Sequence, residues 1–348
     1  MMTKSLLTLL FFPTALCLFA FDDTSTAPSS NNGAVLEVDG TKLSIADMEQ
    51  KHPFGLFQAR NAFYQAETKA LNDFATEYLL EQEAQKEHVT VEELLERHAN
   101  SVVPKGDPSE EALRLYYEGT ESKEPFEAVR AGILDHIRQS RMFKAKTEYV
   151  QTLRSKAKIA VSVAPPLAAV SLKDTPVRGV AANALVTLVE YADYECPYCQ
   201  QVQPVLDKLE AEYKGKVTFA YKDLPLPMHP HAQKAAEAAH CAGAQGKYWE
   251  YHDMLFATKK LEISQLKEDA GALKLDTAAF DKCLDSGEQA ETIKAQNAEA
   301  QSLQLQGTPS FFINGQFFSG GFTYEQFRGI LDGALNASSA PVTEAAKR

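Results

Sequence analysis

Two cysteines set two residues apart, Cys196 and Cys199, stand in the stretch LVTLVEYADYECPYC (185–199) and are the side chains best equipped for chemistry. Before them, Leu185, Val186, Leu188 and Val189 make an apolar, partly β-branched run of the kind found in a strand buried on both faces. Pro197 suits the first position of a helix, where its missing N–H costs nothing. A strand, loop and helix in that order set Cys196 at a helix N-terminus, facing free N–H groups and the positive end of the macrodipole. A thiolate is stabilised there, so Cys196 is expected as the acidic, exposed, attacking sulfur. Cys199 lies one turn on and on the same face, where it can close a disulfide with Cys196. The spacing points to a redox dithiol. A structural zinc site needs four ligands, and no second Cys-x-x-Cys or Cys/His pair stands at finger spacing, so neither metal nor cofactor is expected.

The chain around this motif has 348 residues, enough for two domains with cores of their own. A formal net charge of −12 argues against a nucleic-acid partner. Met1–Ala20 reads as a signal peptide: Lys4 gives a positive start, and Leu6–Phe19 is an apolar stretch broken by Pro13, too short to span. Cleavage is expected after Ala20. Cys17 is the alternative, as a lipid-modified cysteine, although Leu16 stands where lipoprotein signals carry a small residue. Four cysteines remain in the mature chain, an even number that suits an oxidising, periplasmic location.

Read in order, residues 21–33 (through DDTSTAPSSNNG) form a linker, and 34–163 a mainly α-helical domain. Within it, Ala34–Val38 reads as a strand, Asp39-Gly40 as a turn, and Ser44 with Asp47 as a near capping box. Helices are expected over 54–87, 90–98, 109–118 and 125–156, and Ile159–Val163 alternates like a strand. Residues 164–181, with Pro165, Pro166, Pro176 and Gly179, read as an interdomain linker. An α/β domain follows over 182–337, with strands Leu185–Tyr191 and Val217–Lys222 flanking helix Pro197–Tyr213 in a parallel crossover. A helical insertion spans about His231–Leu305. Strands Ser310–Ile313 and Gln316–Ser319 then flank an Asn314-Gly315 turn, and a final helix begins at Thr323. Residues 338–348 read as a flexible tail. His229 and His231 could line a groove, whereas Tyr248 and Trp249 read as core.

The motifs EYADYECPYC, AAEAAHCAGAQGKYWEYHDMLF (235–256) and GTPSFFING (307–315) together resemble the DsbA-like branch of the thioredoxin superfamily over most of 182–337. That resemblance implies a thioredoxin-like fold with a helical insertion, and a cis Thr308–Pro309 peptide against the dithiol that presents Thr308 to an extended substrate. The residue-level alternative is a trans proline that starts a strand. It implies that Glu190, six residues before Cys196, lies beneath the dithiol and moves protons to or from Cys199. Lys222, at the end of the neighbouring strand, could partner Glu190 and tune the redox pair, or both could be solvent-facing strand ends. Pro197 and Tyr198, between the cysteines, belong with the tuning residues, and Tyr198 could also contact substrate. Relatives often carry a disulfide at the places of Cys241 and Cys283. Such a bridge would contribute about 4 kcal/mol in the chain-entropy model, and two buried free thiols are the alternative.

The opening AVLEVDGTKLSIADME, followed by long helices, resembles the helical chaperone region of SurA-type proteins, without a parvulin-type catalytic domain. It would hold peptides, dimerise, or both. The expected function is an exported thiol-disulfide oxidoreductase that introduces disulfides into unfolded or folding exported proteins, with a membrane thiol oxidase or reductase as redox partner. The alternatives are a dimeric isomerase or reductase, and a periplasmic chaperone with a secondary redox domain. Removing residues 34–163 is expected to separate the holding role from oxidation.

Overall fold

The computed structural model of the chain describes residues 33–179 and 185–339. The expected signal peptide with Cys17, the first linker up to residue 32, and residues 340–348 of the tail lie outside the described residues. Two compact units meet in sequence at Pro53–Phe54.

In the first unit, strands β1 (Ala34–Val38) and β2 (Thr41–Ser44) pair antiparallel across Asp39 and Gly40. Both turn residues hold positive φ, 51° and 80°, the combination for which Asp-Gly is suited in a two-residue hairpin. Helix α1 (Ile45–Lys51) follows with a complete capping box: the Ser44 N–H donates to Asp47 Oδ2 (2.7 Å), and the Asp47 N–H to Ser44 Oγ (3.2 Å).

The second unit opens with helices α2 (Phe57–Lys86), α3 (Val91–Val102), α4 (Glu110–Glu118) and α5 (Phe126–Lys156). Thr90 and Ser109 cap α3 and α4, as side-chain acceptors before a helical run should. Arg154 on α5 ties the two long helices, donating to Asn72 O (2.9 Å), Asn72 Oδ1 (2.8 Å) and Thr76 Oγ1 (2.6 Å) on α2. Phe63, Phe74, Tyr78 and Phe143 on these helices remain exposed. The expected strand at Ile159–Val163 does not form, because an alternating run still needs a neighbour to complete its ladder and none pairs with it among the described residues.

A five-stranded sheet follows, built from β3 (Val177–Gly179), β4 (Val186–Ala192), β5 (Val217–Asp223), β6 (Ser310–Ile313) and β7 (Gln316–Ser319), in the order β3-β5-β4-β6-β7. Only β4 and β5 run parallel, joined by helix α6 (Pro197–Glu212). The stretch expected as a linker, 164–181, is therefore partly inside the sheet. Its strand β3 pairs antiparallel with β5, and Ala168 is buried with its N–H on Gly315 O (2.8 Å). Prolines suggested a linker, yet they are equally compatible with the ends of a short edge strand. Gly179 (φ +94°) is required there, since a Cβ would lie 2.5 Å from Val217 O.

Helices α7 (Ala232–Gly243), α8 (Tyr248–Thr258), α9 (Ile263–Ala272), α10 (Thr277–Ser286) and α11 (Ala290–Ser302) form the insertion between β5 and β6, and α12 (Tyr324–Ser339) closes the fold. One sheet face, with Leu188, Phe219, Phe311 and Ile313, packs on Leu206 and Leu209 of α6 and Phe327 and Leu331 of α12. The opposite face, with Val189, Tyr191, Ala220 and Phe312, meets Ala300 of α11, Leu303 just after it, and Phe57 of α2. No described helix is long and apolar enough to cross a membrane.

The alanine-rich face of α7 lets its neighbours approach closely, and a disulfide joins Cys241 on α7 to Cys283 on α10 (Cα–Cα 5.9 Å). It closes a loop for which chain entropy gives about 4 kcal/mol, reduced by any relaxation of the unfolded reference. Replacing both cysteines by alanine is expected to lower stability by about 2–4 kcal/mol in urea unfolding. An unchanged midpoint would mean that helix packing alone carries this region.

Candidate active site

Cys196 is the N-cap of α6 (φ −72°, ψ 121°), with Pro197 at the first helical position, as the motif predicts. Its N–H donates to Asp193 O (3.1 Å), and its Sγ lies 3.4 Å from Thr308 O. The Thr308–Pro309 peptide is cis, which brings the loop before β6 against the dithiol. One expectation is corrected: Cys196 is buried, with 3 % of its surface open, rather than exposed. The Thr308 loop covers the sulfur, a long-range contact invisible to local pattern. Tyr198, by contrast, is 66 % exposed at the rim, where it can meet substrate.

The two sulfurs are driven apart electrostatically. The Cys199 thiol donates to the Cys196 sulfur, and this, more than any other contact, lowers Cys196 to about 5 against the opposing cost of burial. The Thr308 contact and the backbone N–H groups of Cys199 and Tyr198 add to it. Helix-end amides were the expected cause; they contribute, but the partner thiol comes first. Cys199 is itself pushed far above the ordinary thiol range, chiefly by burial.

Glu190 is buried on β4, and burial raises it to about 8. Its charge also bears on Cys199, raising that thiol further. Gln203 on α6 donates to both Glu190 oxygens (3.2 and 3.3 Å). Gln203 was not anticipated, although helical spacing carried the signal: it sits four residues after Cys199 and so on the same face. Glu190 and Gln203 border a cavity of about 20 Å³, room for one water molecule. Tyr221 Oη and His252 Nε2 belong to residues lining the same cavity, and both atoms are buried without a hydrogen-bond partner among the described residues.

Lys222 does not partner Glu190. The parallel register sets Glu190 opposite Tyr221 and Tyr191 opposite Lys222. A one-residue offset in a strand turns a side chain to the other face. Lys222 accordingly pairs with Glu299 on the α11 side of the sheet, beside Tyr191, whose hydroxyl donates to the same carboxylate (2.8 Å). The Lys222 place among the tuning residues loses its geometric basis.

Asp193, also not anticipated, organises the loops around the dithiol. Its carboxylate accepts from the N–H of Glu195 (2.7 Å) and of Leu226 (2.8 Å), and holds His229 Nδ1 at 2.7 Å. Burial alone would lower His229, but the Asp193 hydrogen bond and charge outweigh it and raise the imidazole. Glu195 accepts from the His231 backbone N–H (2.7 Å), so both histidines flank the loop before α6 through carboxylate clamps. Tyr248 is buried and Trp249 packs on the same cluster, as expected of core residues.

A family model described as Thioredoxin matches residues 171–333. Over these residues the chain carries a thioredoxin-superfamily domain, with helices α7–α11 inserted between β5 and β6. Among curated proteins, Na(+)/H(+) antiporter NhaA 3 of Salinispora tropica is 43% identical over 146 residues, 41% of this chain and 22% of the antiporter. Antiporter NhaA 1 of Salinispora arenicola is 37% identical over 155 residues, 44% of this chain and 24% of its own length. The chain therefore spans a quarter or less of these two relatives. Among solved structures, Wolbachia pipientis alpha-DsbA1 shares 22% identity over 49% of this chain and 95% of its own, with TM-score 0.45. Oxidised BdbD of Bacillus subtilis shares 23% over 51% and 100%, with TM-score 0.44.

Proposed function

We propose that this chain is an exported thiol-disulfide oxidoreductase that donates its Cys196–Cys199 disulfide to folding polypeptides. The observation that carries the reading is the placement of Cys196 at the N-cap of α6, with its Sγ 3.4 Å from Thr308 O and Cys199 buried one turn on. The lowering of Cys196 to about 5 and the raising of its partner agree with it. In the oxidised state a substrate thiolate attacks Cys196 Sγ. The mixed disulfide forms as the Cys196–Cys199 bond breaks, and Cys199 leaves with the electron pair. Cys199 then needs a proton, and Glu190, raised to about 8 and so protonated at neutral pH, is the buried donor. A second substrate thiolate attacks the substrate sulfur, and Cys196 departs as a stabilised thiolate. Two electrons have passed from the substrate dithiol to the enzyme. The Cys241–Cys283 disulfide supports an oxidising compartment, and a membrane thiol oxidase would restore the starting state.

The direction of transfer follows from linkage. Cys196 is lowered from 9.0 to about 5, so the unfolded chain binds more protons between those values. The thiolate's stabilisation of the reduced fold is complete above the ordinary value and lost as pH falls through 5. At pH 7 it is worth about 2–3 kcal/mol. A stabilised reduced form makes an oxidising disulfide. Thiolate absorbance is expected to titrate near pH 5, and equilibration with glutathione to give a potential above about −180 mV. A thiol titrating near 9, or a potential below about −250 mV, would turn the reading towards a reductase.

A further inference from the structure

We propose that helix α2 forms a wall of the substrate site, with Asn61 reading the main chain of an extended cysteine-bearing polypeptide. The inference deepens the oxidoreductase reading and rests on it. Beside the dithiol lies a groove of about 590 Å³, within the range of ligand sites. Thr308, Pro309 and Phe317 line it from the sheet domain, Tyr198 from the CPYC motif, and Gln58 and Asn61 from α2.

Helix α2 is anchored at this place. Phe57 is buried against Phe312 and Phe317, with ring centroids 6.0 and 6.4 Å away. Gln58 Nε2 donates to Leu303 O (2.9 Å), and Gln304 Nε2 returns a bond to Gly55 O (3.4 Å). Asn61 stands one turn on from Phe57. It is 9 % exposed and has no hydrogen bond among the described residues. Its carboxamide borders the open groove, where it can bond a ligand.

The chemistry of the lining selects the ligand. No Asp, Glu, Lys, Arg or His is among the described lining residues. The carboxylates of a small anionic thiol would find no cation there. A carboxamide has both a donor and an acceptor, which match the N–H and C=O of a peptide unit. Main-chain recognition of an extended segment beside a sheet is the mode such a lining serves.

The test uses the full-length oxidised protein with two probes: a flexible uncharged peptide carrying one cysteine pair, and dithiothreitol. Asn61→Ala is expected to lower the peptide-to-dithiothreitol rate ratio about tenfold, the equivalent of one hydrogen bond. Asn61→Asp keeps the shape and adds charge, so a peptide with Glu beside its cysteine should lose at least about fivefold more than one with Lys. Ratios unchanged in both variants would overturn the proposal. Failure of the wild-type protein to oxidise either probe would instead remove the oxidoreductase reading itself.

Discussion

Serine in place of Cys196 is expected to reduce disulfide transfer at neutral pH by roughly 10³-fold or more, because the only acidic sulfur of the pair is gone. The hydroxyl cannot form the mixed disulfide, and Cys199, pushed up by burial, is protonated and covered. The companion variant Cys199→Ala should behave in the opposite way. Its Cys196 thiolate still attacks a substrate disulfide, releasing one substrate thiolate and forming the mixed disulfide. No neighbouring thiol then resolves it, so an adduct on Cys196 accumulates and can be mapped by mass. Losing the Cys199 hydrogen bond also removes the largest cause of the low Cys196 value, so that variant's thiol should titrate higher than the wild type. An adduct that formed equally fast on Cys199 in the Cys196→Ser variant would reverse the assignment of the two sulfurs.

The dithiol and its helix were legible because their cause is local. Pro197 at a helix start and an apolar strand before it place Cys196 within a few residues of chain. The family resemblance supplied what local reasoning left open, the cis Thr308–Pro309 peptide and the Cys241–Cys283 bridge. What stayed hidden depended on register or on distant contacts. Strand adjacency alone makes Lys222 a neighbour of Glu190, but a single step of register puts it on the other face. The burial of Cys196 comes from a loop 112 residues away in sequence. The 164–181 stretch looked like a linker by composition, and only pairing with β5 makes it a strand. The contact of Phe57 and Gln58 with the sheet domain likewise has no local signature. It changes the meaning of an expected experiment: removing residues 34–163 takes away a wall of the groove and cannot isolate one role from the other.

Glu190→Gln should expose the buried acid's two effects at once, on stability and on rate. Burial raises Glu190 from 4.5 to about 8, so between those values the folded protein binds a proton that the unfolded chain has lost. Stability therefore falls as pH rises through that window, by about 3 kcal/mol at pH 7. Glutamine is nearly isosteric and does not ionise. The variant is expected to match the wild type near pH 4 and to exceed it increasingly towards pH 8, with the lost Gln203 geometry taking back part of the gain. In the reduced wild type this penalty opposes the Cys196 thiolate's gain of similar size, so the two nearly cancel at pH 7. In the oxidised wild type no thiolate offsets it, and the gap between reduced and oxidised stability should widen as pH rises from 5 to 8. Glutamine should shift both redox forms upward, leaving the thiolate's contribution to the gap in place. The rate moves the other way. Without an acid to protonate departing Cys199, transfer at pH 6–7 should slow by about 10²-fold, the low end for a positioned proton donor. The pH–rate profile should also lose its inflection near 8. A variant that gained stability but kept the wild-type profile would leave Glu190 as a buried carboxyl with no part in the exchange, and the proton for Cys199 would have to come from solvent.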